Sequence, residues 1–325
     1  MNKIILSGDI GGTKTRLAMV EVTGTQVNIV HEVSYPSCNY STFEALLGEF
    51  LSGTELPRDA AFGVAGPVQG RRVQTTNLPW HIDADALQQR FGFTHCTLLN
   101  DLEATACGLP ALGEEDLLVL QAGTKPACGN MAVIAAGTGL GEAGLYWDGH
   151  QHQPFATEGG HTSFSPADEQ GFALLRHLQQ QFGHVSWERV VSGMGLVSLH
   201  EFLCLHRPAP DWLAQQIRAG DAAAAISSAA LAGGDETCIA TLNLFVRLYA
   251  AEAGNLALKM MSGGGIFLGG GIAPKILPLL TSGAFLQAFT DKGRMRHLLQ
   301  AMPVKVILND RAALYGPALR AAQDY

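Results

Sequence analysis

Two glycine-rich turns, each flanked on both sides by strand-like apolar runs, constrain this chain more than any other feature. The first lies in IILSGDIGGTKTRLAMV (residues 4–20) and the second in MAVIAAGTGLGEAGLYW (residues 131–147). An apolar run enters each turn, no bulky side chain occupies it, and a second apolar run leaves it. Such turns let backbone N–H groups converge on an anion with no Cβ in the way. A tight hairpin also uses glycine, so neither turn decides alone. The pair, one of them bearing Asp9, favours a polyphosphate held from two sides and hence a nucleotide-dependent transfer enzyme.

Two common phosphate motifs fail here. GDIGGTKT (8–15) has Thr13 where a Walker A motif needs the glycine before its lysine, and the turn leads into a strand rather than a helix. GTGLG (137–141) is followed by Glu142 where a dinucleotide fingerprint needs glycine, and again a strand follows. What remains is a strand–turn–strand clasp. In it Asp9 can orient Mg²⁺ through the ion's water shell, and Gly11, Gly12 and Thr13 can present N–H or hydroxyl donors.

Composition narrows the partners. A chain of 325 residues, 47% hydrophobic and 15% charged, is long enough for about two buried cores. The net charge of −8 comes with no basic run. Nucleic acid and anionic membranes, which call for cationic surfaces, are therefore disfavoured. The six cysteines, at 38, 96, 107, 128, 204 and 238, form no C-x-x-C pair, so neither a zinc site nor a disulfide framework is expected. No leader or membrane span is legible, and a cytoplasmic location is the expectation.

The periodicities predict strands at 3–7, 15–22 and 27–34, then a helix opened by Ser41 with an apolar face of Phe43, Leu46, Leu47, Phe50 and Leu51. A strand at 60–66 ends in Gly66-Pro67, Asp83 caps a short helix, and strand 96–100 breaks directly into a helix at Asp101. A strand from Leu117, the second hairpin and a polar loop at 151–166 follow. Helices are expected over 168–182, 186–205, 211–219, 222–232 and 236–261. Strand 266–269 runs into Gly270-Gly271, and strand 304–308 precedes a last helix, 311–323. Hairpins joined to strand–helix alternation, repeated twice, predict an α/β protein of two related halves.

DIGGTKTRLA, LNDLEATACGL, AAGTGLG, EGGH and FLGGGI, in this order and spacing, resemble the bacterial glucokinases of the actin-like ATP-binding superfamily. The resemblance extends over essentially the whole chain. It implies two ribonuclease-H-like domains around a central cleft, closing on a hexose, with ATP phosphates between the two hairpins. The smaller domain would comprise 1–110 and 302–325, and the larger 111–301. DIGGTK is equally typical of the related ROK sugar kinases and repressors. Those usually carry a cysteine-rich zinc cluster after a Gly-His pair, whereas Gly160-His161 here is followed by TSFSPADEQ. Zinc is therefore not expected, nor is a DNA-binding repressor.

Asp101 stands where an apolar strand meets a helix. It can serve as general base for a sugar hydroxyl, or it and Asn100 can simply cap the helix; the resemblance favours the base. It further implies that Asn100, Glu158, His161 and Glu188 bind the sugar, with Gly66 and Asn77 on its rim. Gly8, Asp9, Ile10, Gly11, Gly12, Thr13, Gly137, Thr138 and Gly139 would meet the phosphates, and Gly270 and Gly271 the adenosine. A homodimer is implied too. Taken together, these readings predict Mg²⁺–ATP-dependent phosphorylation of glucose. A kinase for another hexose or N-acetylhexosamine, and a non-catalytic sugar sensor, are the alternatives.

Overall fold

The computed structural model describes residues 3–75, 78–124 and 129–323, and the chain divides into two compact units. The first runs to Asp116 and adds Pro154–Ala156 and the segment from Asn309; the second comprises Leu117–Gln153 and Thr157–Leu308.

The first unit is built on β1 (Lys3–Ile10), β2 (Lys14–Thr23), β3 (Gln26–Pro36), β4 (Asp59–Val64) and a later strand at His95–Asn100, in the order β3-β2-β1-β4 followed by that strand. β1 and β2 are antiparallel, whereas β4 and the strand at His95–Asn100 run parallel to β1 and to each other. Successive side chains of a strand point to opposite faces, and here both faces are covered. Leu6, Ile10, Leu17 and Met19 pack with Phe43, Leu46 and Leu47 of α1 (Phe43–Phe50) and with Phe62 and Trp80. Ile5, Ala18 and Val20 pack on the opposite face with Leu314 and Ala318 of the C-terminal helix (Ala312–Gln323). Burial on both faces explains why the N-terminal strands read as nearly unbroken apolar runs.

Between β4 and the last strand lie a small antiparallel sheet, β5 (Val68–Gln69), β6 (Arg72–Gln74) and β7 (His81–Asp83), and helix α2 (Ala84–Phe91), capped by Asp83. β8 (His95–Asn100) passes without a loop into α3 (Asp101–Gly108). α3 lies against the C-terminal helix, and glycine makes that approach possible. A Cβ on Gly108 would overlap the backbone of Ala312, and one on Gly316 the carbonyl of Ala104.

The second sheet comprises β9 (Leu117–Gln121), β10 (Met131–Ala136), β11 (Leu140–Trp147), β12 (His152–Thr157), β13 (Gly265–Gly269) and β14 (Val304–Ile307) in the order β12-β11-β10-β13-β14-β9, all in the second unit apart from Pro154–Ala156 of β12. β10 and β11 form the second hairpin, and β13 runs parallel to β10. The helices are α4 (Glu169–Phe182), α5 (Gly193–Cys204), α6 (Asp211–Ala219), α7 (Ala222–Leu231), α8 (Glu236–Met260), α9 (Leu277–Leu280), α10 (Ala284–Phe289) and α11 (Arg296–Ala301). α8 is the spine of this unit. Its buried residues include Leu242, Phe245, Tyr249, Ala253 and Leu256, and the Tyr249 hydroxyl donates to the Ile134 carbonyl of β10 at 3.0 Å.

Three local expectations are corrected. α1 is capped by Thr42, whose Oγ1 accepts from Ala45 N, and not by Ser41. The helix predicted over 186–205 is split into a 3₁₀ turn at Trp187–Arg189 and α5. Ser192 makes the break: its Oγ donates to Glu188 O at 2.7 Å and accepts from Gly195 N at 2.9 Å, starting a new helix. The polar segment 151–166 contains β12 before its loop begins.

Candidate functional site

In the first unit β1, β4 and β8 are neighbouring parallel strands whose registers align Ile10 with Val64 and Val64 with Asn100. Their carboxyl ends therefore share one edge, where ligands of open α/β sheets characteristically bind. That edge carries the first glycine turn, Gly66 and the Asn100–Asp101 pair. The Asn100 side chain links two of these. Its Oδ1 accepts from the amides of Leu102 and Glu103 (3.0 and 3.4 Å), and its Nδ2 donates to Gly66 O at 3.3 Å. Asn100 is thus the helix cap, and Asp101 stands as the first residue of α3, its Oδ1 accepting from Leu102 N at 2.9 Å. A carboxylate in this first turn is favoured by the helix dipole. Gly66 has φ +149°, and a Cβ there would lie 2.8 Å from Gln74 O, so no other residue fits this turn without strain.

The first hairpin turn is braced from outside. Gly11 N donates to Lys14 O (3.0 Å), Ser37 N donates to Thr13 O (3.0 Å), and the buried Ser37 Oγ donates to Gly11 O (2.8 Å). These bonds spend the carbonyls of Gly11 and Thr13. Among the described residues none accepts from the amides of Gly12 and Thr13, so those donors are available to an anion. Gly8 and Ile10 differ from their neighbours. Ile10 is buried in the core, and a Cβ on Gly8 would lie 2.7 Å from the Phe62 ring, so both side-chain positions belong to packing.

Asp9 is opposite Arg16 in the hairpin, a pairing not anticipated from the sequence. Arg16 Nε and Nη2 both donate to Asp9 Oδ2 (3.2 and 2.9 Å), and Arg16 Nη1 lies 2.9 Å from Asp310 Oδ2. Burial opposes the charge of Arg16, but Asp9 and Asp310 outweigh it, and the guanidinium's pKa is raised. The positions of Asp9 and Arg16, mirrored about the turn, were a sequence signal for this pair. Asp9 Oδ1 receives no donor from the described residues. Mg²⁺ is commonly held by one or two carboxylates together with substrate phosphates and water, and one open carboxylate oxygen beside free amides fits an ion that arrives with its nucleotide. Among the described residues no group of three or more acidic, histidine or cysteine side chains could hold a metal alone.

Of the predicted sugar set, Glu158, His161 and Glu188 come together in the second unit, whereas Asn100 and Gly66 lie in the first. Ser163 bridges Ser186, Trp187 N donates to Thr162 O (3.0 Å) and Phe164 N donates to Val185 O (2.9 Å), zipping the EGGH loop to the segment bearing Glu188. His161 then sits between two carboxylates, with Nε2 3.7 Å from Glu158 Oε2 and Nδ1 4.0 Å from Glu188 Oε1. His161 and Glu158 are mostly exposed and Glu188 is mostly buried. Glu188 also joins the set to the second hairpin, because its Oε2 accepts from Leu140 N at 3.0 Å.

That hairpin turn, Gly137-Thr138-Gly139, closes with Gly137 N donating to Gly139 O (2.9 Å), and the first residue of α5 reaches it through Gly193 N to Gly137 O (2.8 Å). A Cβ on Gly139 would collide with the Glu188 carboxylate, whereas one on Gly137 would meet nothing within 4 Å. After β13 the chain turns at Gly270, with φ +80° and a would-be Cβ overlapping the Ala136 backbone; Gly271 beside it faces open space. So Gly270 is demanded by the fold and Gly271 is not. Asn77, expected at the sugar rim, lies outside the described residues.

The order of the two sheets and the glycine hairpin in each fit the actin-like ATPase fold, and the similarities to glucokinases and ROK sugar kinases agree. A sequence model of the glucokinase family matches residues 6–324, and the chain belongs to that family. A glucokinase of Nostoc punctiforme is 42% identical over 98% of this chain and 99% of its own length. The crystal structure of a glucokinase from an Antarctic psychrotroph superimposes with a TM-score of 0.86 at 32% identity, covering 98% of this chain and 99% of that one. A ROK-family glucokinase from Streptomyces griseus, solved with glucose and AMPPNP, shares the fold at a TM-score of 0.66 and 22% identity, covering 98% of this chain and 99% of that one. Among the described residues no helix is long and apolar enough to cross a membrane.

Proposed function

We propose that this chain transfers the γ-phosphoryl group of ATP to the 6-hydroxyl of glucose. The observation that carries the reading is the convergence of Glu158, His161 and Glu188 beside the second glycine hairpin. A hexose offers vicinal hydroxyls that both donate and accept, and a histidine flanked by two carboxylates answers them with paired, charge-assisted hydrogen bonds. Asn100, already bonded to Gly66, has one amide hydrogen left for a further hydroxyl.

Asp101 accepts the proton of the attacking hydroxyl as its oxygen bonds to phosphorus and the bond to the leaving phosphate breaks. Asn100 caps α3, and Asp101 follows it as the first residue of that helix, at the carboxyl end of β8. The amides of Gly12 and Thr13, and the turn at 137–139, cradle phosphate oxygens, while Gly271 leaves room for the nucleoside. Asp9 Oδ1 would hold Mg²⁺ through water, and the ion would neutralise charge developing on the phosphates. The protein is proposed to act in the cytoplasm as a homodimer.

A coupled assay for ADP release with ATP and a panel of glucose, mannose and N-acetylglucosamine, with and without Mg²⁺, tests the reading. Magnesium-dependent release stimulated most by glucose is expected. Preference for another sugar would move the substrate, and the absence of any sugar-stimulated release would overturn the kinase.

A further inference from the structure

Glu142 is an acid in the middle of an apolar strand, and the reaction above does not use it. It lies on β11, three residues after Gly139 of the second turn, with only 2% of its surface exposed, and its Oε1 is buried with no hydrogen-bond partner among the described residues. Across from it stands the fully buried Glu252 of α8. The cations near the pair attend to Glu252. Lys259 Nζ lies 3.3 Å from Glu252 Oε1, Asn255 Nδ2 donates to Glu252 Oε2 at 2.8 Å, and Lys292 in turn donates to Asn255 Oδ1 at 2.7 Å. Lys259 also acts on Glu142 through its charge, opposing the rise, and Tyr249, a further ionisable group of α8 that feels Glu142, has its hydroxyl committed to Ile134 O.

The far side of Glu142 is the EGGH loop. A Cβ on Gly159 would overlap the Glu142 carboxylate and lie 2.7 Å from its carboxyl carbon, and one on Gly160 would overlap the Leu140 carbonyl. Thr157 ties the two backbones, its Oγ1 donating to Glu142 O (2.9 Å) and accepting from Gly159 N (3.2 Å). The two glycines therefore let the loop rest directly on the buried acid, with Glu158 on one side and His161 on the other.

We propose that the Glu142 carboxyl, seated behind Gly159 and facing Glu252, is a positioning residue for the loop that carries Glu158 and His161. It does this as a neutral acid. Burial, then repulsion from Glu252, push Glu142 up to about 8; burial raises Glu252 as well, but Asn255, Lys259 and Lys292 all oppose that rise, so the pair's negative charge falls on Glu252. Losing the proton would place a second buried anion against Glu252 and directly under the sugar loop, a costly state that the loop relieves by lifting and admitting water. The inference that sugar affinity follows the proton rests on the sugar-binding role proposed for the loop.

The test compares the full-length protein with Glu142→Gln, which is permanently neutral, and with Glu252→Gln, which removes the repelling charge. Hydrogen exchange of the 157–163 peptide is measured at matched pH, so that the intrinsic pH dependence cancels. The wild type should exchange as Glu142→Gln does at pH 7 and about tenfold faster at pH 9, because only about one molecule in ten keeps the proton one pH unit above the midpoint. The glucose KM should rise by a similar factor in the wild type and stay flat in Glu142→Gln, with Glu252→Gln shifting the break to lower pH. The raised pKa also makes a stability claim. The contribution is fully present below the ordinary Glu value of 4.5 and is lost as pH rises to about 8, so the Tm advantage of Glu142→Gln should grow across that window. Equal exchange of wild type and Glu142→Gln at pH 9 would overturn the proposal. Absence of glucose phosphorylation at every pH, with the exchange difference present, would instead overturn the sugar reading and leave the positioning of the loop standing.

Discussion

The two glycine hairpins share a backbone design and differ in what supports it. In the first, polarity is settled by charge: Asp9 and Asp310 neutralise the buried Arg16, and Ser37 braces the turn. In the second, Glu188 accepts from the hairpin amide of Leu140, and the Oε1 of the nearby buried acid, Glu142, has no hydrogen-bond partner among the described residues. A hairpin needs only glycine and alternating strands. The surrounding polar groups set the two neighbourhoods apart, an ion-paired arginine at the first and carboxyl groups at the second. The first hairpin shares its sheet edge with Asp101, so changes there should fall on turnover; changes beside the second should fall on sugar affinity.

The largest effect expected is that of Asp101→Asn, which should lower kcat by roughly two or more powers of ten while glucose affinity, read by calorimetry, stays near the wild-type value. Substantial turnover in that variant would break the assignment of base and with it the division of labour. Asp9→Asn should also lose turnover and require more Mg²⁺ for what remains. It should further lose about 2–3 kcal/mol in urea unfolding, less than the ~3–5 kcal/mol of a wholly buried pair because Asp9 keeps some contact with water. Glu188→Gln should raise the glucose KM about tenfold or more, as a charge-assisted acceptor becomes a neutral one, with a smaller change in kcat; a fall confined to kcat would erase the contrast. Gly271→Ala is the smallest expected change in stability, within about 0.5 kcal/mol because its Cβ meets nothing. Its readout is the ATP KM, which should rise if the nucleoside occupies that space.

Much of the fold was legible because it rests on local rules. The apolar runs on either side of GDIGGTKT and AAGTGLG announce hairpins, and the face of Phe43, Leu46, Leu47 and Phe50 announces α1. Less legible were features set by competition among neighbours. Ser186 and Ser192 are both plausible caps, and only the packing of Gly195 against the Val190 backbone selects Ser192. Gly270 and Gly271 look alike in sequence, yet one is held in a left-handed turn against Ala136 and the other faces open space.

The sequence by itself determined the chemistry on offer: two turns free of bulky side chains, an Asn-Asp pair where a strand becomes a helix, and the ordered motifs of a glucokinase. These are properties of residues a few positions apart, where backbone sterics and capping act directly. Tertiary structure decided how the offers combine. It set Arg16 against both Asp9 and Asp310, zipped the 158–164 segment to residues 185–188 so that His161 lies between two acids, and laid Gly159 on the Glu142 carboxyl. Burial and long-range pairing assign those partners, and neither can be read from spacing along the chain.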